Sequence, residues 1–404
     1  MKLTESVIGP YLGDFEDSLR NRGYQSSTTR HYLVQCQTFD SFLVQQNVAL
    51  PSLKEDRIEE FVLGKLAERR HSDERAACNS WHRPLRLLLE HLSAIGLVPI
   101  FPRSGISDPA ILAEYFSFLR NHRGICEQTV ERQRRHLTPF LNLCDLDGDS
   151  GSLGRISITQ VDRFLIEKAR GFSRESVNSV CTALRGFLRY LHMRGLVDRN
   201  LAEQVTRPRL YSLASLPRAI HWSEVERTLG LVDCRTLTGC RDYAVLVLLA
   251  YCGLRAGEVA GLCLDDLDWS HDTIRVRRRK RQTVEDLPLV PLVGEALIAY
   301  LKRRPDSAHR QVFSKVLAPA GPLSQPAISW LATKYLRGAG IKLSHLGAHT
   351  LRHSYAVRLL RQGFPLKTIG DALGHQHPQS TFIYTKAAVD DMREVCLDIT
   401  EVLP

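Results

Sequence analysis

Cysteine is scarce in this chain and nowhere closely paired. Ten in 404 residues are too few for a disulfide scaffold. None stands in a C-x-x-C, and the nearest pair is Cys234 and Cys240, so reduced, mostly buried thiols are expected. Metal spacing is missing too. His349 and His353 lie four apart, but the glutamate of an H-E-x-x-H helix is absent and Arg352 stands between them, so neither metal nor any other cofactor is expected. The longest uncharged apolar run, Tyr243 to Leu254, has twelve residues, against the roughly 18 that a membrane span needs. The first twenty residues carry charges throughout and have no signal-peptide block. The expectation is a soluble, cytoplasmic protein without membrane contact.

What is present is a globular composition, 44% apolar and 24% charged, over a length that implies two or three domains. Lys and Arg number 54 against 44 Asp and Glu, a formal net charge of +10, which points to a polyanion and, inside a cell, to nucleic acid first. The charge is clustered. Arg275, Arg277, Arg278, Arg279, Lys280 and Arg281 put six bases in seven positions, and Arg132, Arg134 and Arg135 form a second group. Arg277, Arg278, Arg279 and Arg281, with the second group, are the expected DNA contacts.

An internal repeat organises the first half. Leu19-Arg20-Asn21-Arg22-Gly23 is echoed by Leu119-Arg120-Asn121-His122-Arg123-Gly124. Thr28, Phe39, Ile58 and Phe61 then match Thr129, Phe140, Val161 and Phe164, and Leu88, Leu92 and Gly96 match Phe187, Leu191 and Gly195. Each unit reads as helical. Val180, Leu184, Phe187, Leu188 and Leu191 recur at helical steps, Ser173 and Ser176 offer caps, and Gly195 a stop. Asp56 or Thr159 can start the preceding helix of its unit.

Residues 205–218 read as a basic linker with Pro208 and Pro217. Beyond it, a helix from Arg241 to Tyr251 is followed by an alternating strand, Asp272 to Val276. Leu287-Pro288-Leu289-Val290-Pro291-Leu292 then ends the hairpin, where proline requires an edge. The fold class is therefore mainly α with a small antiparallel β-sheet (α+β).

Four pieces of this third region belong together: Gly253-Leu254-Arg255, the hairpin around Lys280, His349-Thr350-Leu351-Arg352-His353, and Leu373-Gly374-His375 with Tyr384 nine residues later. Transfer of a DNA phosphodiester needs its non-bridging oxygens held, and arginine does this with a planar, permanently charged fork. It needs a proton donor for the leaving oxygen and a nucleophile that conserves the bond. Two arginines, a lysine, histidines and a tyrosine meet that list.

In this order the motifs resemble those of the tyrosine recombinases, the phage integrase family. The resemblance implies an activating pocket of Arg255, Lys280, His349, Arg352 and His375, with Tyr384 as the nucleophile. Glu258 is implied as a structural partner, and His353 matches the residue after the second arginine. The departure is Ala256, which adjoins the pocket. The resemblance also implies a helical SAM-like core-binding domain over 106–204 and a catalytic domain over 219–404. Residues 1–100 are extra, and the repeat marks them as a second core-binding-like copy. The implied function is site-specific cleavage and rejoining of DNA strands through a 3′-phosphotyrosyl intermediate, without metal or ATP. It is expected in a tetrameric complex of recombinase subunits on double-stranded DNA, and for integration or transposition of a mobile element. Two alternatives share these features: a DNA-bound accessory factor, and a type IB topoisomerase-like enzyme. In residues 388–404, Met392, Val395, Cys396, Ile399, Val402 and Leu403 predict an amphipathic helix. It packs on its own domain or, as the resemblance implies, on a neighbouring subunit.

Overall fold

Each half of the sequence repeat builds four helices around an aromatic pair. The fold comes from a computed structural model, which describes residues 6–67, 74–99, 109–144, 153–154, 156–210, 218–278, 283–375 and 377–387. It comprises two compact units, Ile100–Ala214 and a second one formed by Met1–Pro99 with Ser215–Pro404. Among the described residues it is mostly helical, with one three-stranded antiparallel sheet.

In the first hundred residues, helices α1 (Leu12–Asn21), α2 (Ser26–Gln45), α3 (Glu55–Ala67) and α4 (Glu74–Ala94) pack with α1 on α2 and both α2 and α3 on α4. Helices α5 (Ala110–Arg123), α6 (Glu127–Leu143), α7 (Ile158–Gly171) and α8 (Arg174–Met193) repeat that order, α5 on α6 and both α6 and α7 on α8. Matched residues do matched jobs. Phe39 meets Phe61 edge-on at 5.1 Å, and Phe140 meets Phe164 edge-on at 5.4 Å. All four rings are buried, each contributing about 1.5–3 kcal/mol of transfer free energy. Ser173 caps α8 by accepting from the Ser176 amide. The cap of α7 is Ser157, two residues before Thr159, with Gln160 reaching back to the Ser157 amide. In α3, Asp56 falls inside the first turn.

The C-terminal part is built around α10 (Leu237–Tyr251), preceded by α9 (Trp222–Gly230). The apolar run that begins at Tyr243 is this helix, buried from Ala244 through Ala250. A helix apolar on all sides belongs at the centre of a core. Around it stand α11 (Ala256–Gly261), α12 (Pro291–Leu301), α13 (Gln325–Gly338) and α14 (Ala348–Arg361). Then follow α15 (Leu366–Leu373), the short α16 (Gln379–Phe382) and a 3-10 turn, Ile383–Ala387. The sheet has the order β1 (Leu267–Asp268), β2 (Thr273–Arg278), β3 (Thr283–Pro288). Thr273 opposes Pro288 and Arg278 opposes Thr283, so Pro288 lies on an edge strand. The expected tail helix over 388–404 lies outside the described residues, and no helix among those described is long and apolar enough to cross a membrane.

Candidate active site

The pocket starts where α10 stops. Gly253, at φ +59°, turns the chain into α11, and an added Cβ there would stand 2.5 Å from the Tyr355 ring, so only glycine fits. The turn delivers Arg255 to the start of α11. Glu258, one turn on, accepts the Arg255 amide at 2.9 Å and the Arg255 Nη1 at 2.7 Å. This fixes the guanidinium while leaving 30% of its side chain exposed. Burial pushes the Glu258 carboxyl up, but the Arg255 amide and the charges of Arg278 and Arg255 outweigh it and hold the group below its ordinary value.

Arg352 comes from α14 and is 2% exposed. Its two Nη atoms donate to the carbonyls of Gly253 and Leu373, joining the ends of α10 and α15. Burial, then the neighbouring Arg255, lowers its pKa to about 10, so it remains a cation at neutral pH. Arg255 Nη2 donates to the Gly374 carbonyl at 3.2 Å. Gly374 ends α15 at φ +60°, and the next residue, His375, pairs through Nδ1 with Thr381 Oγ1 at 2.9 Å. Burial, Arg352 and Arg255 bring the His375 pKa down to about 4.

Tyr384, in the 3-10 turn, closes the pocket. It is 1% exposed. Its ring stacks on His375 with centroids 6.1 Å apart at 13°, and its hydroxyl lies 3.1 Å from His353 Nδ1. Burial raises its pKa, with Arg352 and Arg255 opposing. Two cationic forks, two neutral imidazoles and one phenol thus converge from α10–α11, α14, α15 and the final turn. Such a set can neutralise an oxyanion beside a tyrosine oxygen. Among the described residues, no group of three His, Cys, Asp or Glu is arranged to hold a metal ion.

Residues 221–390 match the phage integrase family, and residues 112–195 match the phage integrase N-terminal SAM-like domain. A Sinorhizobium fredii protein named as an integrase/recombinase, y4rA, is 33% identical over 395 residues, 97% of this chain and 95% of that one. The chain belongs to the phage integrase family. Tyrosine recombinase XerA of Thermococcus kodakarensis is 32% identical over 290 residues, 72% of this chain and 95% of that one. Among solved structures, the Tn1549 transposon integrase in complex with circular intermediate DNA is similar in fold. It has a TM-score of 0.50 and 18% identity over 68% of this chain and 94% of that one.

Of the residues expected from the family motifs, Arg255, Arg352, His375 and Tyr384 come together. His349 sits exposed in the first turn of α14, its ring 6.2 Å from that of His353. Lys280 lies outside the described residues, as do Arg279 and Arg281. Arg277 is half exposed and paired with the buried Asp266 at 2.5 Å. Arg132 and Arg135 are exposed on α6, whereas Arg134 is half-buried, paired with Glu131 and lying over the Phe116 ring. Arg132, Arg135 and Lys168 all press on His136, whose pKa is lowered first by burial and then by those charges.

One expectation is corrected. Arg278 is no surface phosphate contact, because it is 2% exposed. Its Nε donates to Glu285 at 2.9 Å, its Nη1 to Glu258 at 2.8 Å and its Nη2 to the Ala372 carbonyl at 3.0 Å. Strand parity carries the reason: Ile274, Val276 and Arg278 share the inward face of β2, and Arg275 and Arg277 point out. That alternation was present in the sequence. The contact of His353 with Tyr384 was not, because it joins residues 31 apart on elements whose packing no spacing specifies.

Proposed function

We propose that the chain is a site-specific DNA recombinase that cleaves and rejoins strands through a 3′-phosphotyrosyl bond to Tyr384. The observation that carries this is the convergence of Arg255 and Arg352 on the buried Tyr384. The two guanidinium groups hold the non-bridging oxygens as charge builds on them. The tyrosine oxygen attacks phosphorus, and the 5′ oxygen leaves with a proton that the family resemblance assigns to Lys280. His375, stacked on the phenol, keeps its plane, and His349 lies at the exposed rim. The bond energy stays in the phosphotyrosine, so no ATP is required, and the arginines do the work a metal would do.

Further parts of the reading concern partners. Arg132 and Arg135 on α6 are proposed to lie along the DNA backbone, as are Arg277 and, beyond the described residues, Arg279 and Arg281. Rejoining to a second duplex calls for further subunits, in a complex of four on two sites. The first hundred residues are proposed to be a second core-binding-like module. At its positions corresponding to Arg132, Arg134 and Arg135 it carries His31, Leu33 and Val34, so it lacks that phosphate-gripping cluster. Two Sinorhizobium fredii relatives named as integrase/recombinase match 97% and 98% of this chain, whereas XerA matches 72%. This favours integration of a mobile element.

The test is a nicked suicide duplex, taken from DNA flanking the gene, that releases its 5′ end once cut. Wild type should accumulate covalent protein–DNA adduct in EDTA and without ATP, and Tyr384→Phe should form none while binding the duplex normally. Adduct persisting in Tyr384→Phe would move the nucleophile elsewhere, with Tyr355 next to test. A clear metal requirement would overturn the mechanism.

A further inference from the structure

A phenol that attacks phosphorus must lose its proton, and the three histidines on this side of the domain are not equivalent in their relation to Tyr384. We propose that His353, rather than His349 or His375, holds the Tyr384 hydroxyl for attack and takes its proton as the new O–P bond forms. This rests on the reading of Tyr384 as nucleophile and adds to the chain's machinery a residue that the motif order leaves without a role.

The geometry carries it. His353 Nδ1 lies 3.1 Å from the Tyr384 oxygen, inside the range a general base needs, with the two rings 5.5 Å apart. Tyr384 is 1% exposed, so bulk water does not reach the phenol freely. His375 meets Tyr384 face to face rather than through a ring nitrogen, and its Nδ1 is engaged with Thr381 Oγ1. His349 is exposed, one helical turn before His353.

The electrostatics fit a neutral O–H···N pair in the resting chain. Burial first, then the charges of His349, Arg352 and Arg218, lower the His353 pKa to about 4. His353 in turn disfavours charge on His375. A phosphodiester held by Arg255 and Arg352 brings a negative charge that offsets these cations and raises the basicity of His353 where it is needed. The step balances. The Tyr384 oxygen bonds to phosphorus, its proton moves to His353 Nδ1, and the P–O5′ bond breaks with the 5′ oxygen protonated by its own donor. On rejoining, the 5′ hydroxyl attacks and gives its proton back to that donor, the phosphotyrosine bond breaks, and the imidazolium returns its proton to Tyr384.

The test uses the full chain and a suicide duplex on which wild type forms adduct, in two versions: an ordinary one, and one with sulfur in place of the leaving 5′ oxygen. A thiolate leaves without a proton, so the second version bypasses the leaving-group donor but not the base. His353→Gln and His353→Asn should slow adduct formation by roughly 10²-fold or more on both versions. Duplex binding should stay at the wild-type level, and the rate should climb with pH as phenolate forms unaided. His349→Gln, whatever its rate, should keep the wild-type pH profile. Rates within threefold of wild type, a defect that vanishes on the sulfur substrate, or a pH profile parallel to wild type would each overturn the proposal.

A measurement on the unmutated chain guards against variants that misfold. In ¹⁵N-histidine-labelled protein at pH 6, His353 should be neutral with its proton on Nε2, and a proton on Nδ1 would overturn the assignment. If Tyr384→Phe still forms adduct, the nucleophile reading itself fails. If Tyr384→Phe forms none while the His353 variants react normally, this inference alone fails.

Discussion

Arg278 and Glu258 form an ion pair 2.8 Å long in which the side chains are only 2% and 6% exposed. Glu258 is also the residue that fixes Arg255, so one carboxylate joins the base of the β2–β3 hairpin to the Arg255 guanidinium.

Breaking the pair from one side should therefore be costly. Arg278→Ala leaves Glu285 and the Ala372 carbonyl without this donor, and about 3–5 kcal/mol of stability should be lost. Urea unfolding of the variant against wild type reads this directly. A loss under about 1 kcal/mol would mean that the hairpin is held by other contacts.

Salt dependence of DNA binding should separate buried from exposed arginines. Arg132→Ala and Arg135→Ala should each flatten the slope of log K against log salt by about 0.9, one phosphate contact apiece. Arg278→Ala, in whatever fraction remains folded, should leave the slope unchanged. Equal flattening by all three would put Arg278 on the backbone after all.

Arg255→Ala and Arg352→Ala should each lower the rate of strand cleavage by roughly 10²–10³. They should differ in stability. Arg352→Ala strips the Gly253 and Leu373 carbonyls of their buried donor, a loss of roughly 1–3 kcal/mol per group, while Arg255→Ala takes a partly exposed donor from the Gly374 carbonyl and from Glu258, which keeps Arg278. Comparable melting temperatures for the two variants would contradict the buried bridge.

The folded chain should weaken in acid through His353 and His375. Both are held to about 4, below the ordinary 6.5, so between those values the unfolded chain binds protons that the folded one refuses. Stability from this source is full above about pH 6.5 and is lost as pH falls through 4. The melting temperature of wild type should drop across that window more steeply than that of a His353→Gln/His375→Gln double variant. Parallel curves would show that other groups dominate.

Gly374→Ala should disturb the pocket without removing a single polar group. The added Cβ would sit 2.7 Å from Arg278 Nε, at a φ of +60°, and the left-handed backbone alone costs a non-glycine residue roughly 1–2 kcal/mol. Because the Gly374 carbonyl holds Arg255, cleavage should fall along with stability. Wild-type cleavage in the variant would mean that Arg255 needs no such support.

Much of this was legible in the residues alone. The helical repeat, the edge position of Pro288 and the companionship of Arg255, Arg352, His375 and Tyr384 all follow from period, proline chemistry and motif order. By charge density Arg278 belongs with its basic neighbours, but strand parity places every second residue of β2 inside. Ser157 and Thr159 both suit the start of a helix by side chain alone, and the structure uses Ser157. His353 lay beyond reach of the sequence for a different reason. Its partner is fixed by how the last turn folds over α14, a tertiary choice that leaves no local trace.

The enclosure of Tyr384 sets a toll on the substrate. Tyr384 is 1% exposed, so on the proposed reading a DNA phosphate reaches its hydroxyl only once the packing over it loosens, with the His353 contact kept. On that reading the work is drawn from contacts along the flanking duplex. Shortening that flank should then lower the turnover of bound DNA and not only its affinity. On the same reading, a tyrosine sheathed in this way would leave uncut a duplex that merely brushes past.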